Sequence, residues 1–429
     1  SLLPKKGLTL FHSSSKMGKA QPLNARILTP CGFVRMRDIE IGSKVIGSDG
    51  KATTVIAIHP QGEQDVYTVT FNDGTATETT ADHLWNIRKN GDPFPYTYQT
   101  QTTAQIAERI SVPHTGLFTY IPVVKPVEYV MSSEDLQISS YLLGVLLGDG
   151  SFRAGSPILS FGDPDIIDCI QPDLPEGTHA IVKNRYATIS TGKQGNKMNA
   201  VLNALHNYGL WGKGSWEKHI PIEYKYGSIA TRFSMLQGLL DTDGTVAPNA
   251  SDNCSVFYSS TAPDLTQDFV DIVRSLGGIA RVRWRQTYAH KDGVKKAGRP
   301  SSVITVRLPR ELGCPFRLPA KRDKWLAHQP TKVTTPVHRI TKIERTGSKI
   351  CQCITVAASD GLYVTDDFIV THNSMLSVNL ALAGACGLPS FLGQPLNGPF
   401  TTLILQSEIH LRGVYDRADT MVKTLANHG

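Results

Sequence analysis

Residues 351–374 read CQCITVAASDGLYVTDDFIVTHNS, and this stretch decides how the rest of the chain is read. It carries Cys351 and Cys353 at one end and the tripeptide His372-Asn373-Ser374 at the other. An Asn side-chain amide can attack its own main-chain carbonyl, closing a succinimide and releasing the nitrogen of the next residue. The chain can therefore break between Asn373 and Ser374 without water. His372 is suited to protonate the departing nitrogen, because imidazole titrates near neutral pH. Ser374, exposed at the break, would carry a nucleophilic hydroxyl. Those three residues alone also fit an ordinary polar turn, since Asn and Ser favour turns, so the other end of the chain is needed.

The chain has 429 residues, room for two to four domains at about 100–200 residues each. Hydrophobic residues at 40% and charged residues at 19% describe a globular protein. No apolar run approaches the roughly 18 residues of a membrane span, and no secretory pattern opens the chain, which predicts a cytoplasmic protein without membrane contact. Seven cysteines, odd in number and scattered, argue against a disulfide framework and leave thiols for chemistry. Cys351-x-Cys353 is too tight for a zinc site and has no matching second pair. The net charge of +7 is mild, but Lys and Arg crowd into 281–322, which suits a polyanionic partner.

The two ends of the chain complete one another. Residues 1–19 predict a strand, GLTLF, and a small-residue loop, HSSSKMGK, ending in Gly18-Lys19. A phosphate-binding loop needs Ser or Thr after Gly-Lys and then a helix, but Ala20 follows. The missing pieces lie at 374–386, SMLSVNLALAGAC, an apolar-periodic helix opening on Ser374, with a buried-strand pattern TTLILQSE at 401–408. Joining Lys19 to Ser374 gives SSSKMGKSMLSVNLALA. The outer segments, 1–19 and 374–429, thus resemble fragments of an α/β RecA-like P-loop ATPase interrupted inside its loop. That resemblance implies that Gly18, Lys19 and Ser374 bind ATP with magnesium once joined. Ser13 stands where the first loop glycine would be.

The insert opens with short β-rich runs punctuated by Gly and Asp-Gly turns, ARILTPCGFVRMRDIEIGSKVIGSDGKATTV, followed by VYTVTF, Asn72-Asp73-Gly74 and TATETT. This pattern predicts an all-β unit. Thr80-Ala-Asp-His83-Leu-Trp85 follows and resembles the TxxH block of inteins, while 351–374 resembles their last two blocks. Residues 20–130 with 330–373 are therefore similar to the Hint splicing fold, a horseshoe of strands that brings both ends of the insert together. Most inteins begin with Cys or Ser, and the methyl group of Ala20 cannot attack a peptide bond. The resemblance supplies another nucleophile. Class 3 inteins combine a late cysteine with a tryptophan and a threonine, and Cys353, Trp85 and Thr371 stand at those positions. Taken singly, Trp85 could be a core residue and Cys353 a small buried hydrophobe.

Residues 135–325 are organised differently. Tyr141-Leu-Leu-Gly144-Val-Leu-Leu-Gly-Asp149-Gly150 and Met235-Leu-Gln-Gly238-Leu-Leu-Asp-Thr-Asp243-Gly244 are near copies. Each predicts an apolar helix ending in Asp-Gly. Two such helices, packed at their small residues, would bring both carboxylates to one point, where they suit magnesium, a hard cation that takes oxygen ligands. The pair resembles the two motifs of a monomeric LAGLIDADG homing endonuclease, an α+β fold. The resemblance makes Asp149 and Asp243 the metal-binding acids and Lys218 the accompanying lysine. It also implies strands that read double-stranded DNA of the intein-free allele in the major groove. Arg281-Val-Arg283-Trp-Arg285 is expected to turn charge outward and apolar residues inward, and KDGVKKAGR at 291–299 to form a basic turn on phosphates. A solvated charged face is the alternative for both.

Three function classes follow: a self-splicing intein that carries an endonuclease, a P-loop ATPase with a large insertion, and a Hint-type protein that cleaves without ligating. The uninterrupted loop is missing before excision, which weighs against the second. A protein that only cuts at its upstream end needs neither Asn373 nor Ser374, which weighs against the third.

Overall fold

A computed structural model describes residues 20–89, 98–111, 118–131, 136–153, 155–191, 199–248, 254–291, 294–328, 336–372, 390–391 and 394–395. The expected strand, loop and helix of the flanking ATPase fragments lie outside these residues, as do Lys19, Asn373 and Ser374.

The all-β part is built on two 20-residue strands, Ala52–Phe71 and Val337–Val356, paired antiparallel. The sequence reads as short runs here, and the difference has a physical cause. Pro60 and Gly62 would end an ordinary strand, but register shifts at Cys351/Gln352 and Arg345/Gly347 let the partner bend with them. Around this ribbon a ten-stranded sheet runs in the order Leu362–Thr365, Ile369–His372, Leu84–Lys89, Thr119–Pro122, Val337–Val356, Ala52–Phe71, Lys44–Ile46. Gln21–Pro22, Ala76–Thr80 and Gln99–Thr102 pair off that path. Helix Thr103–Ser111, which the sequence reading did not anticipate, closes over Trp85 through its buried Ile106. The first and last strands of the splicing unit thus belong to one sheet, although most of the chain separates them.

A buried ion pair stands in the Asn72-Asp73-Gly74 turn. Asp73 Oδ2 lies 3.4 Å from His338 Nδ1, and Oδ1 accepts from Thr75 N at 3.1 Å and Thr75 Oγ1 at 2.7 Å. Burial would raise this carboxyl, but His338 and Thr75 outweigh it and hold it down at about 2. An acid depressed from 3.8 to about 2 stabilises the fold fully above pH 3.8, and that contribution is lost as pH falls through about 2. Replacing Asp73 with Asn is therefore expected to cost about 2 kcal/mol near neutral pH and progressively less in acid. Denaturant midpoints of parent and variant across that range check it; a gap that does not narrow would contradict the assignment.

The second unit shows the repeat in three dimensions. Helices Ser140–Asp149 and Ile229–Asp243 pack face to face, and each runs into a four-stranded antiparallel sheet. In the first sheet the strands lie in the order Gly150–Ser151, Ile158–Ser160, Tyr186–Ser190, His179–Lys183. The second repeats that path with Gly244–Pro248, Cys254–Ser260, Ser301–Arg307, Ile279–Arg285. Only glycine fits where the helices cross. A Cβ on Gly144 would sit 2.5 Å from Met235 O, and one on Gly238 would sit 2.4 Å from Tyr141 O. The crossing is fixed further by Asp241, whose buried carboxylate accepts from Tyr141 Oη at 2.7 Å and from the backbone amides of Arg317 and Leu318. One large apolar core, including Leu143, Leu147, Leu236 and Leu240, fills the space beneath both sheets.

Candidate splicing and nuclease sites

At the splicing site, the register of a short strand does the positioning. Gln21 pairs with Gln352 and Pro22 with Cys351, so continuing the antiparallel ladder sets Ala20 opposite Cys353. Ala20, Cys353, Cys351 and Val66 form one buried cluster. Gln21 fixes this register from the other face: it accepts from Tyr363 Oη at 3.0 Å and donates to Thr365 Oγ1 at 3.0 Å. Tyr363 is wholly buried, which drives its phenol far above its usual range, as does any charge on Cys353. The sequence reading missed Gln21, Tyr363 and Thr365, because nothing in their spacing marks them before the sheet order is known.

Thr80 grips Ala20 on both sides. Ala20 N donates to Thr80 Oγ1 at 3.2 Å, and Ala20 O receives Thr80 N at 3.1 Å and Thr80 Oγ1 at 3.3 Å. His83 N in turn donates to Thr80 O, and His83 Nε2 is hydrogen-bonded to Thr371 Oγ1. Behind the imidazole, Trp85 presents an edge at 5.3 Å and donates from Nε1 to Thr103 Oγ1 at 3.0 Å. Trp85 packs with Phe71, Ile87 and Ile106 and is not in the cluster that holds Cys353. Its ring lies against the His83 imidazole. His372 pairs with Leu84 and Leu362, which places the last described residue of the splicing unit one strand from His83. Cys351 is the inert member of its pair. Burial, reinforced by Glu78 and only partly opposed by Lys349, pushes its thiol up to about 11.

At the nuclease site, Asp149 and Asp243 end the two repeat helices. Both carboxyls are raised by burial, and Asp243 reaches about 6 with the further push of the Asp149 charge. Lys218 and Lys321 pull the other way on both. Lys218, the expected accompanying lysine, turns its ammonium to the helix end: Nζ donates to the carbonyls of Leu146, Leu147, Gly148 and Gly150 at 2.7–3.2 Å. Burial lowers it to about 8. Lys321 does the same for the second helix, donating to the carbonyls of Leu240, Asp241 and Thr242 at 2.7–3.0 Å. It is the repeat-related counterpart of Lys218 that the sequence reading missed; the basic run AKRDKW gave no sign which lysine would fold back. The two cations neutralise the negative helix ends on which the acids stand. Among the described residues no group of three or more His, Cys, Asp and Glu side chains gathers as a metal site. Two convergent carboxylates fit a hard divalent cation that completes its shell with water and substrate oxygens.

The outer faces of the two sheets differ. Cross-strand partners place Arg281, Arg283 and Arg285 on the same face as Thr305 and Val303, and all three arginines are exposed. The expected alternation holds except at Trp284, which is 50% exposed at the sheet's end instead of buried. The basic turn is a hairpin, Tyr288–Lys291 with Val294–Ala297, and beyond it Arg299 stacks 3.9 Å over the Trp216 ring. The corresponding strand of the first sheet, His179–Lys183, carries Lys183 beside exposed Ile181 and Val182.

Residues 230–307 match the LAGLIDADG-like domain family. The match, the DnaB relatives and the strand register that joins the ends of the insert together support an intein with an embedded LAGLIDADG homing-endonuclease domain in a DnaB-like host. One curated relative is the replicative DNA helicase DnaB of Mycobacterium intracellulare, 26% identical over 380 residues, 85% of this chain and 60% of the relative. That span far exceeds the two flanking segments, so most of the alignment lies within 20–373. A second DnaB helicase, from Mycobacterium leprae (strain TN), is 30% identical over 120 residues, 26% of this chain and 18% of the relative. The chain therefore spans well under two thirds of either relative. Among solved structures, the crystal structure of the MchDnaB-1 intein is 32% identical, covering 20% of this chain and 60% of that one at a TM-score of 0.17. Mesophilic variants of the homing endonuclease I-DmoI align at 11% identity over 46% of this chain and 98% of theirs, at a TM-score of 0.24.

Proposed function

We propose that the chain excises residues 20–373 and joins Lys19 to Ser374 through a branched thioester on Cys353. The observation that carries this reading is the ladder that sets Ala20 opposite Cys353 within one buried cluster. The Cys353 thiolate attacks the Lys19 carbonyl, a carbon–sulfur bond forms, and the Lys19–Ala20 bond breaks. The proton for the departing Ala20 nitrogen comes from His83, with the Thr80 hydroxyl in contact with that nitrogen at 3.2 Å. Thr371 and Trp85 hold the imidazole. Ser374 Oγ then takes the acyl group from sulfur, returning the thiol. Asn373 cyclises with help from His372, and an oxygen-to-nitrogen shift leaves an ordinary peptide bond.

Asn373→Ala removes only the cyclising amide. The branched species is expected to accumulate, with residues 1–19 transferred and residues 374–429 still attached to the insert. The branch has the mass of the linear chain, so it is read by adding hydroxylamine, which cleaves esters and thioesters but not amides: release of residues 1–19 as the hydroxamate, seen by mass, counts the branched molecules. Release of the downstream segment from Asn373→Ala at the parent's rate would refute the C-terminal step.

The embedded domain is read as a magnesium-dependent DNA endonuclease. Asp149 and Asp243 would hold the metal, which supplies charge to activate water and stabilise the leaving oxygen. Lys218 and Lys321 keep the two helix ends, and so the carboxylates, in place. The exposed arginines of the second sheet suit base edges and phosphates, and the unlike first sheet suits an asymmetric target. The target proposed is the joined allele that lacks the insert. Ligation would restore the loop Gly18-Lys19-Ser374 and with it ATP–magnesium binding by the host. The chain acts as a monomer in the cytoplasm on this reading.

A further inference from the structure

The hairpin that delivers His372 turns through an unfavourable conformation. Leu362–Thr365 and Ile369–His372 are joined by Asp366-Asp367-Phe368, and both Asp367 (φ 54°) and Phe368 (φ 63°) lie in the left-handed region. Asp is tolerated in this region, but a bulky side chain such as Phe368 rarely adopts it. Three contacts hold the turn. Phe368 is buried and packs edge-on against Phe33 at 5.1 Å. Asp366 accepts from Arg26 N at 3.0 Å and Arg26 Nε at 3.2 Å. Asp367 pairs with Arg274 Nη1 at 3.0 Å, while the exposed Arg26 reaches it only at 3.7 Å.

Arg274 does not belong to the splicing unit. It sits near the end of helix Pro263–Ser275 in the endonuclease domain, and its side chain is 9% exposed. The same helix end is tied to the splicing unit by Val127 N, which donates to Ser275 O at 2.8 Å. Arg232, fully buried in the second repeat helix, donates to Ser275 Oγ at 2.6 Å and to Val127 O. A rigid platform within the nuclease thus presents one cation to the strained turn. We infer that Arg274 is a positioning residue for splicing: through Asp367 the endonuclease domain holds the hairpin that sets His372 at the downstream junction. The inference rests on the splicing function proposed above. It falls first on the C-terminal step, because His372 ends this hairpin, whereas the upstream attack meets the hairpin only indirectly, through Gln21 bonded to Tyr363 and Thr365 and through Thr371 bonded to His83.

The test uses the full chain with Arg274→Ala, Arg274→Lys, and Arg274→Ala combined with Asp367→Gly. Release at Asn373 is followed by intact mass, formation of the Cys353 branch by the residues 1–19 that hydroxylamine sets free from it, and amide hydrogen exchange by peptide. In Arg274→Ala, downstream release is expected to slow about tenfold and branch formation distinctly less, as for a misplaced but intact catalytic group. Arg274→Lys should recover part of the loss. Asp367→Gly should recover most of it, because glycine adopts the turn without help. Exchange should quicken at 362–372 and nowhere else. Unchanged release, or equal slowing of both steps, would overturn the inference. A parent that releases nothing would refute the splicing reading, and exchange would then decide alone: equal protection of 362–372 in parent and Arg274→Ala would overturn the role of Arg274.

Discussion

Cys353→Ala is expected to abolish the branched species and upstream cleavage together, lowering the rate of both by at least about four orders of magnitude, the scale on which losing a sole nucleophile acts. The expectation is this severe because nothing can replace the thiol. Ala20 offers a methyl group. Cys351 is one pleat away on the same strand, but burial and Glu78 raise its thiol to about 11. Tyr363, also buried beside the site, is driven out of reach of ionisation. Intact mass of Cys353→Ala after prolonged incubation should show no species cut between Lys19 and Ala20. Cys351→Ala should splice at near the parent's rate; if it does not, the roles of the two cysteines are reversed.

Asp149→Asn or Asp243→Asn is expected to remove magnesium-dependent DNA cutting and to leave splicing intact. Each substitution removes one of two convergent charges, and a neutral amide cannot hold the cation in the place of a carboxylate. The fold should tolerate it. Both carboxyls are raised by burial, so their charges are unfavourable in the metal-free protein, and neutralising one relieves that cost. Cleavage of a plasmid bearing the joined Lys19–Ser374 coding junction measures the effect, with an insert-bearing plasmid as control. Equal cutting of both plasmids by the parent, or cutting by either variant, would contradict the assignment.

Much of this was legible from short-range pattern. The two Gly-bearing helices that end in Asp-Gly announce themselves because their chemistry is local: apolar periodicity, small residues for a close crossing, an acid at the end. The alternation of 281–285 likewise showed its charged face before the sheet was known. What could not be read depends on pairing between distant strands. The partnership of Ala20 with Cys353 follows from a register spanning most of the chain, and Gln21 and Tyr363 have meaning only once that register exists. The 20-residue strands were hidden because Pro60 and Gly62 look like punctuation until a bulge at Gln61 between them lets the ladder continue. Lys321 was missed because a lysine that folds back on helix carbonyls has no sequence mark. That Trp85 packs against His83 could not be read either, since a motif fixes order along the chain and not which side chains meet.

The central claim is that one chain cuts itself twice and rejoins its ends, and a tandem mass spectrum of the smaller product tests it most directly. After incubation of the unmutated chain under reducing conditions, a fragment of residues 20–373 should appear with a C-terminal succinimide. Beside it should appear a peptide whose sequence runs SSSKMGKSMLSVNLALA, with Lys19 bonded to Ser374. Separate flanks ending at Lys19 and beginning at Ser374, with no joined peptide, would show cleavage without ligation and contradict the account.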